Sequence, residues 1–321
     1  MKYIQQIIPN IMGFEDSVLI CDEVDPILNK ILEDNGLKVS YAPTITPEQI
    51  MEQIPSFNIV IVRSRTTITK EIIDKAENCK IIARVGVGLD NVDQEAAKAK
   101  NIRVINAVEG AMNAVAELVL GLMLSLARQT ARGDRGIRNG QWLKKELKGT
   151  ELRGKYLGII GMGNIGKRLG RLAKALNMNI IGYDVIPIDE EFSKEVGLMK
   201  ADLNTLLQSS DYVSMHVPLL DSTYHLIDTQ KISTMKKTAK IINTSRGGVI
   251  DEDALYDALK NGNLGGAALD VFEKEPALNH KLAELDNVIL TPHIGAQTKE
   301  AQSLAANVIG EKIIQILRGV I

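Results

Sequence analysis

At 321 residues, 45% hydrophobic and 24% charged, the chain is longer than a single core usually supports, so two domains are expected. Thirty-eight basic against 40 acidic residues leave a formal charge of -2, which excludes a global attraction to nucleic acid or to a membrane surface. An anionic ligand would therefore have to be held by particular arginines.

From the N-terminus, Met1–Asp16 contains Pro9, Asn10 and Gly13 and no continuous apolar block, so no secretory leader is expected. Apolar runs at Val18–Cys21, Lys38–Tyr41, Ile59–Val62, Ile81–Arg84 and Val104–Asn106 read as strands. Helical patterns fill the gaps at Pro26–Asn35, Pro47–Ile54, Lys70–Glu77 and Asp93–Lys100, several opened by Pro or preceded by Asp or Thr. Strand and helix alternating at this spacing predict a parallel sheet covered on both faces. Ala111–Gln129 then reads as a long helix, with Ala131–Asn139 continuing it after a break. Its most apolar stretch, Ala114–Ala127, is too short to span a bilayer and carries Glu117, so a buried helix or a subunit contact is expected. A second alternating series follows at Lys155–Gly161, Asn179–Tyr183, Tyr212–His216, Lys240–Asn243, Gly266–Asp270 and Val288–Thr291. Lys299–Leu317 closes the chain as a helix, apolar at Leu304, Ala305, Val308, Ile309, Ile313, Ile316 and Leu317, and is expected to pack back on the first unit. The fold class is thus α/β: two doubly wound parallel-sheet domains, Rossmann- and flavodoxin-like, with a cleft between them. The two cysteines, Cys21 and Cys79, lie far apart and read as small apolar residues of a reducing, cytoplasmic compartment; no metal site is expected.

The second series opens on a strand running into Gly161-x-Gly163-x-x-Gly166, with Asn164 and Ile165 between the last two glycines and a helical pattern to Leu176. The first glycine permits a tight turn, the second lets the backbone approach a pyrophosphate, and the third lets helix and sheet pack closely. Amide groups at that helix start form an anion site. The next strand ends at Asp184, eighteen residues past Gly166, where a carboxylate accepts ribose hydroxyls and repels a 2′-phosphate, favouring NAD over NADP.

Three further segments end predicted strands: Asn243-Thr244-Ser245-Arg246-Gly247-Gly248, Leu269-Asp270-Val271-Phe272-Glu273-Lys274-Glu275-Pro276 and Thr291-Pro292-His293-Ile294-Gly295-Ala296. The C-terminal ends of parallel strands line the ligand crevice, so Arg246, Glu275 and His293 are candidates to converge there. Hydride chemistry on a hydroxy acid needs those types: a guanidinium for the carboxylate, an imidazole to exchange the hydroxyl proton, and a carboxylate to orient the imidazole. His216, His225 and His280 lack such company. A non-catalytic protein that senses NAD on the same fold is the rival from another class.

With these segments in this order, the chain resembles the D-isomer-specific 2-hydroxyacid dehydrogenase family over nearly its whole length. The resemblance implies that Arg246 binds the substrate carboxylate, His293 is the acid–base group and Glu275 its partner. It implies cofactor contacts from Val217, Pro218, Thr244, Ser245, Asp270 and Gly295 beside the glycine loop. It also implies a discontinuous substrate-binding domain, 1–106 plus 298–321, with the NAD-binding domain inserted at 107–297. A homodimer or homotetramer is expected, built around the Ala111–Gln129 helix, with Lys144 or Lys145 where a partner subunit adds a basic residue.

The first unit is where substrates would be told apart. Arg63 and Arg84 end adjacent predicted strands and can jointly hold a dianionic phosphate, while the Val85-Gly86 backbone can approach a carboxylate. With Gly149-Thr150-Glu151-Leu152, they resemble the family branch acting on D-3-phosphoglycerate, in a short form without a C-terminal regulatory domain. The expected partner is thus a phosphorylated 2-hydroxy acid; glyoxylate, hydroxypyruvate or D-lactate is the alternative. Glu109-Gly110-Ala111-Met112-Asn113 departs from the family's usual polar loop.

Overall fold

The computed structural model describes residues 14–321; most of the segment read for a leader lies outside them. Two compact units part at Ala111/Met112 and Gly295/Ala296, where the family resemblance implied divisions at 106/107 and 297/298.

In the discontinuous unit, strands β1 (Ser17–Ile20), β2 (Lys38–Tyr41), β3 (Ile59–Val62), β4 (Ile81–Arg84) and β5 (Arg103–Asn106) form one parallel sheet ordered β2-β1-β3-β4-β5. That is the flavodoxin-type winding. Central β3 reads IVIV and is buried throughout, as a strand covered on both faces must be. The helices begin where side chains satisfy their first amides. Thr46 and Gln49 form a reciprocal capping box ahead of Pro47–Gln53, and Asp93 caps Gln94–Ala99. The closing helix Lys299–Leu317 packs Ala305, Ala306, Ile309, Ile313 and Ile314 into the core beneath β1, β3 and β4. Its buried stripe is rotated from the one expected: Leu304 is 45% exposed, because small Ala305, Ala306 and Gly310 let the helix sit close, Gly310 against Ile31.

One buried acid organises the strand exits. Asp22, just past β1 and 2% exposed, accepts the amides of Arg63 and Thr66 and the Thr66 hydroxyl. Arg65 Nε lies 3.2 Å from the same carboxylate. Arg63, two residues earlier, donates instead to Gln297.

The second unit contains β6 (Tyr156–Ile160), β7 (Asn179–Tyr183), β8 (Met199–Lys200), β9 (Tyr212–Met215), β10 (Lys240–Asn243), β11 (Gly266–Leu269) and β12 (Val288–Leu290). Their order is β12-β11-β10-β9-β6-β7-β8, all parallel. Numbered within the unit, this is the 3-2-1-4-5-6 winding of dinucleotide-binding sheets with one strand added. Strand β8 was not anticipated, since two residues carry no periodicity. The crossover helices Glu190–Val196, Leu203–Ser209, Thr229–Thr234 and Glu252–Lys260 were not singled out either. Each is capped by an aspartate, Asp189, Asp202, Asp228 and Asp251 in turn, a signal the apolar pattern alone does not use.

The long helix is Met112–Arg128, followed after a 66° bend by Thr130–Arg138. Among the described residues no single helix is long and apolar enough to cross a membrane. Eight residues of Met112–Arg128, from Ala114 to Ala127, are buried, so most of its apolar character is used within its own unit. Leu124, Ile137 and Trp142 remain exposed.

Replacing Asp22 with Ala strands two buried amides and a hydroxyl; we expect a loss of about 3 kcal/mol in chemical denaturation, with an unchanged m-value.

Candidate active site

The glycine turn is built by backbone crowding. Gly161 sits at φ 93°, and a Cβ there would lie 2.6 Å from the His216 carbonyl. A Cβ on Gly166 would lie 2.2 Å from the Gly161 carbonyl. Gly163 differs, since nothing lies within 4 Å of its missing side chain. Two glycines thus fold the turn and the third leaves room before the amides of the helix Asn164–Ala175, the combination an anion requires. Asn164 is exposed and Ile165 half-buried.

Asp184 reaches back to that turn. Its Oδ2 accepts the Met162 amide at 2.6 Å and its Oδ1 the Ile186 amide at 2.9 Å, leaving a further lone pair on each oxygen. Val217 packs against Gly161, and Pro218 beside it is exposed. Two buried polar atoms at the neighbouring strand ends, His216 Nδ1 and Thr244 Oγ1, have no hydrogen-bond partner among the described residues. An open anion turn flanked by unsatisfied polar atoms fits a dinucleotide. His216 Nε2 lies 2.9 Å from Ser214 Oγ, and burial pushes the ring's pKa down to about 4.

At the end of β10, Asn243 templates the turn that carries Arg246. It is 2% exposed; its Oδ1 accepts the Ser245 amide and hydroxyl at 3.0 and 2.8 Å, and its Nδ2 donates to the Arg246 carbonyl at 2.8 Å. Ser245 is therefore held inward, and Arg246 Nη1 donates to the Ser245 carbonyl at 2.6 Å. A Cβ on Gly247 would fall 1.8 Å from the Phe272 carbonyl, so only glycine lets this turn touch the next one. Asn243 was quoted in the motif without a role; burial was needed to reveal it.

The expected pair of His293 and Glu275 forms. Nδ1 of His293 lies 2.8 Å from Glu275 Oε2, with side chains 50% and 37% exposed. Glu275 Oε1 accepts the Phe272 amide at 3.1 Å. Among the described residues, His293 Nε2 has no partner. Asp270, 0% exposed, turns entirely to the histidine loop. It accepts the Thr291 hydroxyl at 2.6 Å and the amides of Ile294 and Gly295 at 2.8 Å each. Gly295 is buried against this carboxylate. His293 itself takes a φ of +52°, uncommon for a side-chain-bearing residue, held by this anchor. The carboxylates of Glu273 and Glu252 each accept the other's backbone N–H, at 3.3 and 2.8 Å, while His225 Nε2 lies 2.9 Å from Glu273 and His280 Nε2 lies 2.9 Å from Glu252.

In the other unit, Arg63, Val85 and Gly86 line one small recess with Ala111, Ala296 and Gln302. Arg63 Nη2 donates to Gln297 Oε1 at 3.0 Å, which also accepts from Gln302 Nε2 at 2.8 Å. Arg84 Nε lies 3.3 Å from the Arg63 carbonyl, and its guanidinium covers Gly86. Gln297 and Gln302 were missed, because polar residues at a helix start carry no distinctive spacing. Lys144 and Lys145 are exposed. Among the described residues no group of three or more metal-ligating side chains forms.

Two outcomes follow from the buried groups. Asp270→Asn faces an amide N–H with an NH₂; we expect about 2 kcal/mol lower stability and a parallel fall in kcat as the His293 loop shifts. Because folding holds the His216 pKa near 4, below its ordinary value near 6.5, its stabilising contribution is complete above pH ~6.5 and is lost as the pH falls towards 4. A urea-denaturation series across that window should flatten in His216→Gln.

Residues 120–295 match the family model described as "D-isomer specific 2-hydroxyacid dehydrogenase, NAD binding domain". The chain is 46% identical over 303 residues to a D-3-phosphoglycerate dehydrogenase of Methanocaldococcus jannaschii, covering 94% of this chain and 57% of that protein; it thus spans little more than half of that relative's length. It is also 46% identical over 273 residues to a hydroxypyruvate reductase of Thermotoga maritima, covering 84% of this chain and 88% of the relative. Among solved structures, the holo form of a Rhodotorula graminis D-mandelate dehydrogenase superposes with a TM-score of 0.88 at 30% identity, covering 94% of each chain. The glycine turn, Asp184 and the strand order belong to an NAD-binding domain, and the chain is a member of the D-isomer specific 2-hydroxyacid dehydrogenase family.

Proposed function

We propose that the protein oxidises D-3-phosphoglycerate to 3-phosphohydroxypyruvate with NAD. The observation that carries the acid–base chemistry is the 2.8 Å contact of His293 Nδ1 with Glu275, which fixes the tautomer and directs Nε2 to exchange a proton. When bound, NAD supplies the acceptor for the hydride that leaves C2. The hydroxyl proton passes to His293 Nε2, the C2–O bond becomes a carbonyl, and Glu275 stabilises the imidazolium that results. Arg246 holds the substrate carboxylate by a guanidinium fork. We assign the glycine turn to the pyrophosphate, and Asp184 to the adenosine ribose.

The choice of a phosphorylated substrate rests on Arg63 and Arg84. Arg84 Nε reaches the Arg63 backbone carbonyl at 3.3 Å where β3 and β4 end, and two guanidiniums suit a dianionic phosphate. Binding energy from that remote group would orient C2 for transfer. The unit bearing them is proposed as the substrate domain. The similarity to a hydroxypyruvate reductase supports the second reading, an unphosphorylated 2-keto acid. Pairing with a second copy is also proposed, through the exposed Ile137 and Trp142, and sedimentation would measure it.

NADH oxidation should be measured in parallel with phosphohydroxypyruvate, hydroxypyruvate and glyoxylate. We expect the phosphorylated acid to give the highest kcat/KM, and Arg63→Ala to raise its KM at least about tenfold, as for a lost charged contact. An unchanged KM would point to the unphosphorylated reading. His293→Ala should lower kcat by about a hundredfold or more while leaving NADH affinity intact; equal loss of both would remove the assigned role.

A further inference from the structure

At the opposite end of the second sheet from Arg246 and His293, the starts of β10, β11 and β12 open onto a cavity of about 230 Å³. Its walls carry Arg132, Arg135, Lys148 and Lys240 against a single acid, Asp286. That acid lies 3.3 Å from Arg132 and 3.6 Å from Arg135 and is 71% exposed, so water screens much of its charge. Arg132 has a second, looser partner in Glu146 at 3.5 Å.

Lys240 is the informative member. It is half-buried, and its Nζ lies 5.2 Å from the centroid of the Tyr212 ring, its register partner on β9. It has no ion-pair partner among the described residues. The acid beside Tyr212, Asp211, is committed to Lys236 at 3.0 Å and to the Tyr156 amide at 2.9 Å. Desolvation, with Lys155 adding to it and Asp211 opposing it, pushes the Lys240 pKa down, so burial of the cation prevails. Beneath it, the Tyr212 hydroxyl is buried and faces the side chain of Thr150, which also lines the cavity. A desolvated cation and three further cations around one cavity that holds a single acid suit an acceptor-rich anion.

We propose that this cavity binds a small oxyanion of the phosphate class, with Lys240 at its floor and Arg132, Arg135 and Lys148 around it. The volume lies below the roughly 300–1,000 Å³ of sites for larger organic ligands, which suits a single phosphate-sized group and leaves no room for a nucleotide. The cavity lies beyond the strand ends that hold the candidate catalytic residues, so it is a site separate from the proposed chemistry. The inference does not depend on which hydroxy acid is turned over.

The test must silence the other places where phosphate could bind. We would use the full chain carrying Arg63→Ala and Arg84→Ala, saturated with NADH, and titrate inorganic phosphate at constant ionic strength. A saturable rise in Tm of about 2–5 °C is expected, as for a ligand that binds only the folded state. Adding Lys240→Met, which keeps the apolar stem, should abolish the rise. Lys148→Ala, an exposed change, should weaken the apparent affinity at least about threefold. Phosphorus NMR line widths of phosphate with the same chains provide the comparison without reference to melting. A rise or a broadening that survives Lys240→Met, or no saturable response at all, overturns the proposal.

Discussion

Asp270 is the point on which the candidate site turns. A carboxylate with no exposed surface costs several kcal/mol to desolvate unless its lone pairs are filled. Here a hydroxyl and two amides of residues 291–295 fill three of roughly four. Those donors therefore cannot move without stranding a buried charge, and His293 is carried on the same loop in a backbone conformation it would seldom adopt alone. The imidazole is half exposed, as a group that meets a substrate must be, yet its position is set by one that is fully buried. Separating the anchored group from the exposed one lets the loop be rigid and accessible together.

The same division recurs around the site. Asn243, almost wholly buried, shapes the turn from which the Arg246 side chain extends. Gly247 presses that turn against the Phe272 carbonyl, tying the arginine loop to the one bearing Glu275. The carboxylates of Glu273 and Glu252 accept each other's backbone N–H across the same region, each with a histidine behind it. In the other unit, Asp22 gathers the amides that follow β3, so that Arg65 is drawn to it while Arg63 meets Gln297. Two arginines in one short segment thus have different tasks, one structural and one facing a recess.

Much of this was legible before the fold. Alternating apolar runs and capped helices announced two parallel sheets, because a strand buried on both faces must be continuously apolar. The glycine spacing, Asp184 and the three strand-end segments marked the candidate residues by their chemistry. Less was legible where a role depends on distant partners. The resemblance marks Asp270 as a cofactor contact, and only the fold shows that its oxygens also anchor the 291–295 loop. The apolar Ala111–Gln129 segment was expected as a buried helix or a subunit contact, and eight of the seventeen residues of Met112–Arg128 are buried. Leu304 fitted the expected stripe of the last helix and is exposed, since small residues rotate the contact face.

What the sequence determined by itself is local and periodic: which segments are strands, where helices start, where the backbone requires glycine, and which side chains can exchange protons or hold carboxylates. These follow from the chemistry of each residue and its near neighbours. The tertiary structure alone decided which polar groups are buried and what satisfies them: Asp22 with Arg65, Asp270 with the histidine loop, and Lys240 with the Tyr212 ring. The cost of a buried polar group is set by its surroundings, and those surroundings come from segments tens of residues apart, brought together only by the winding of the two sheets.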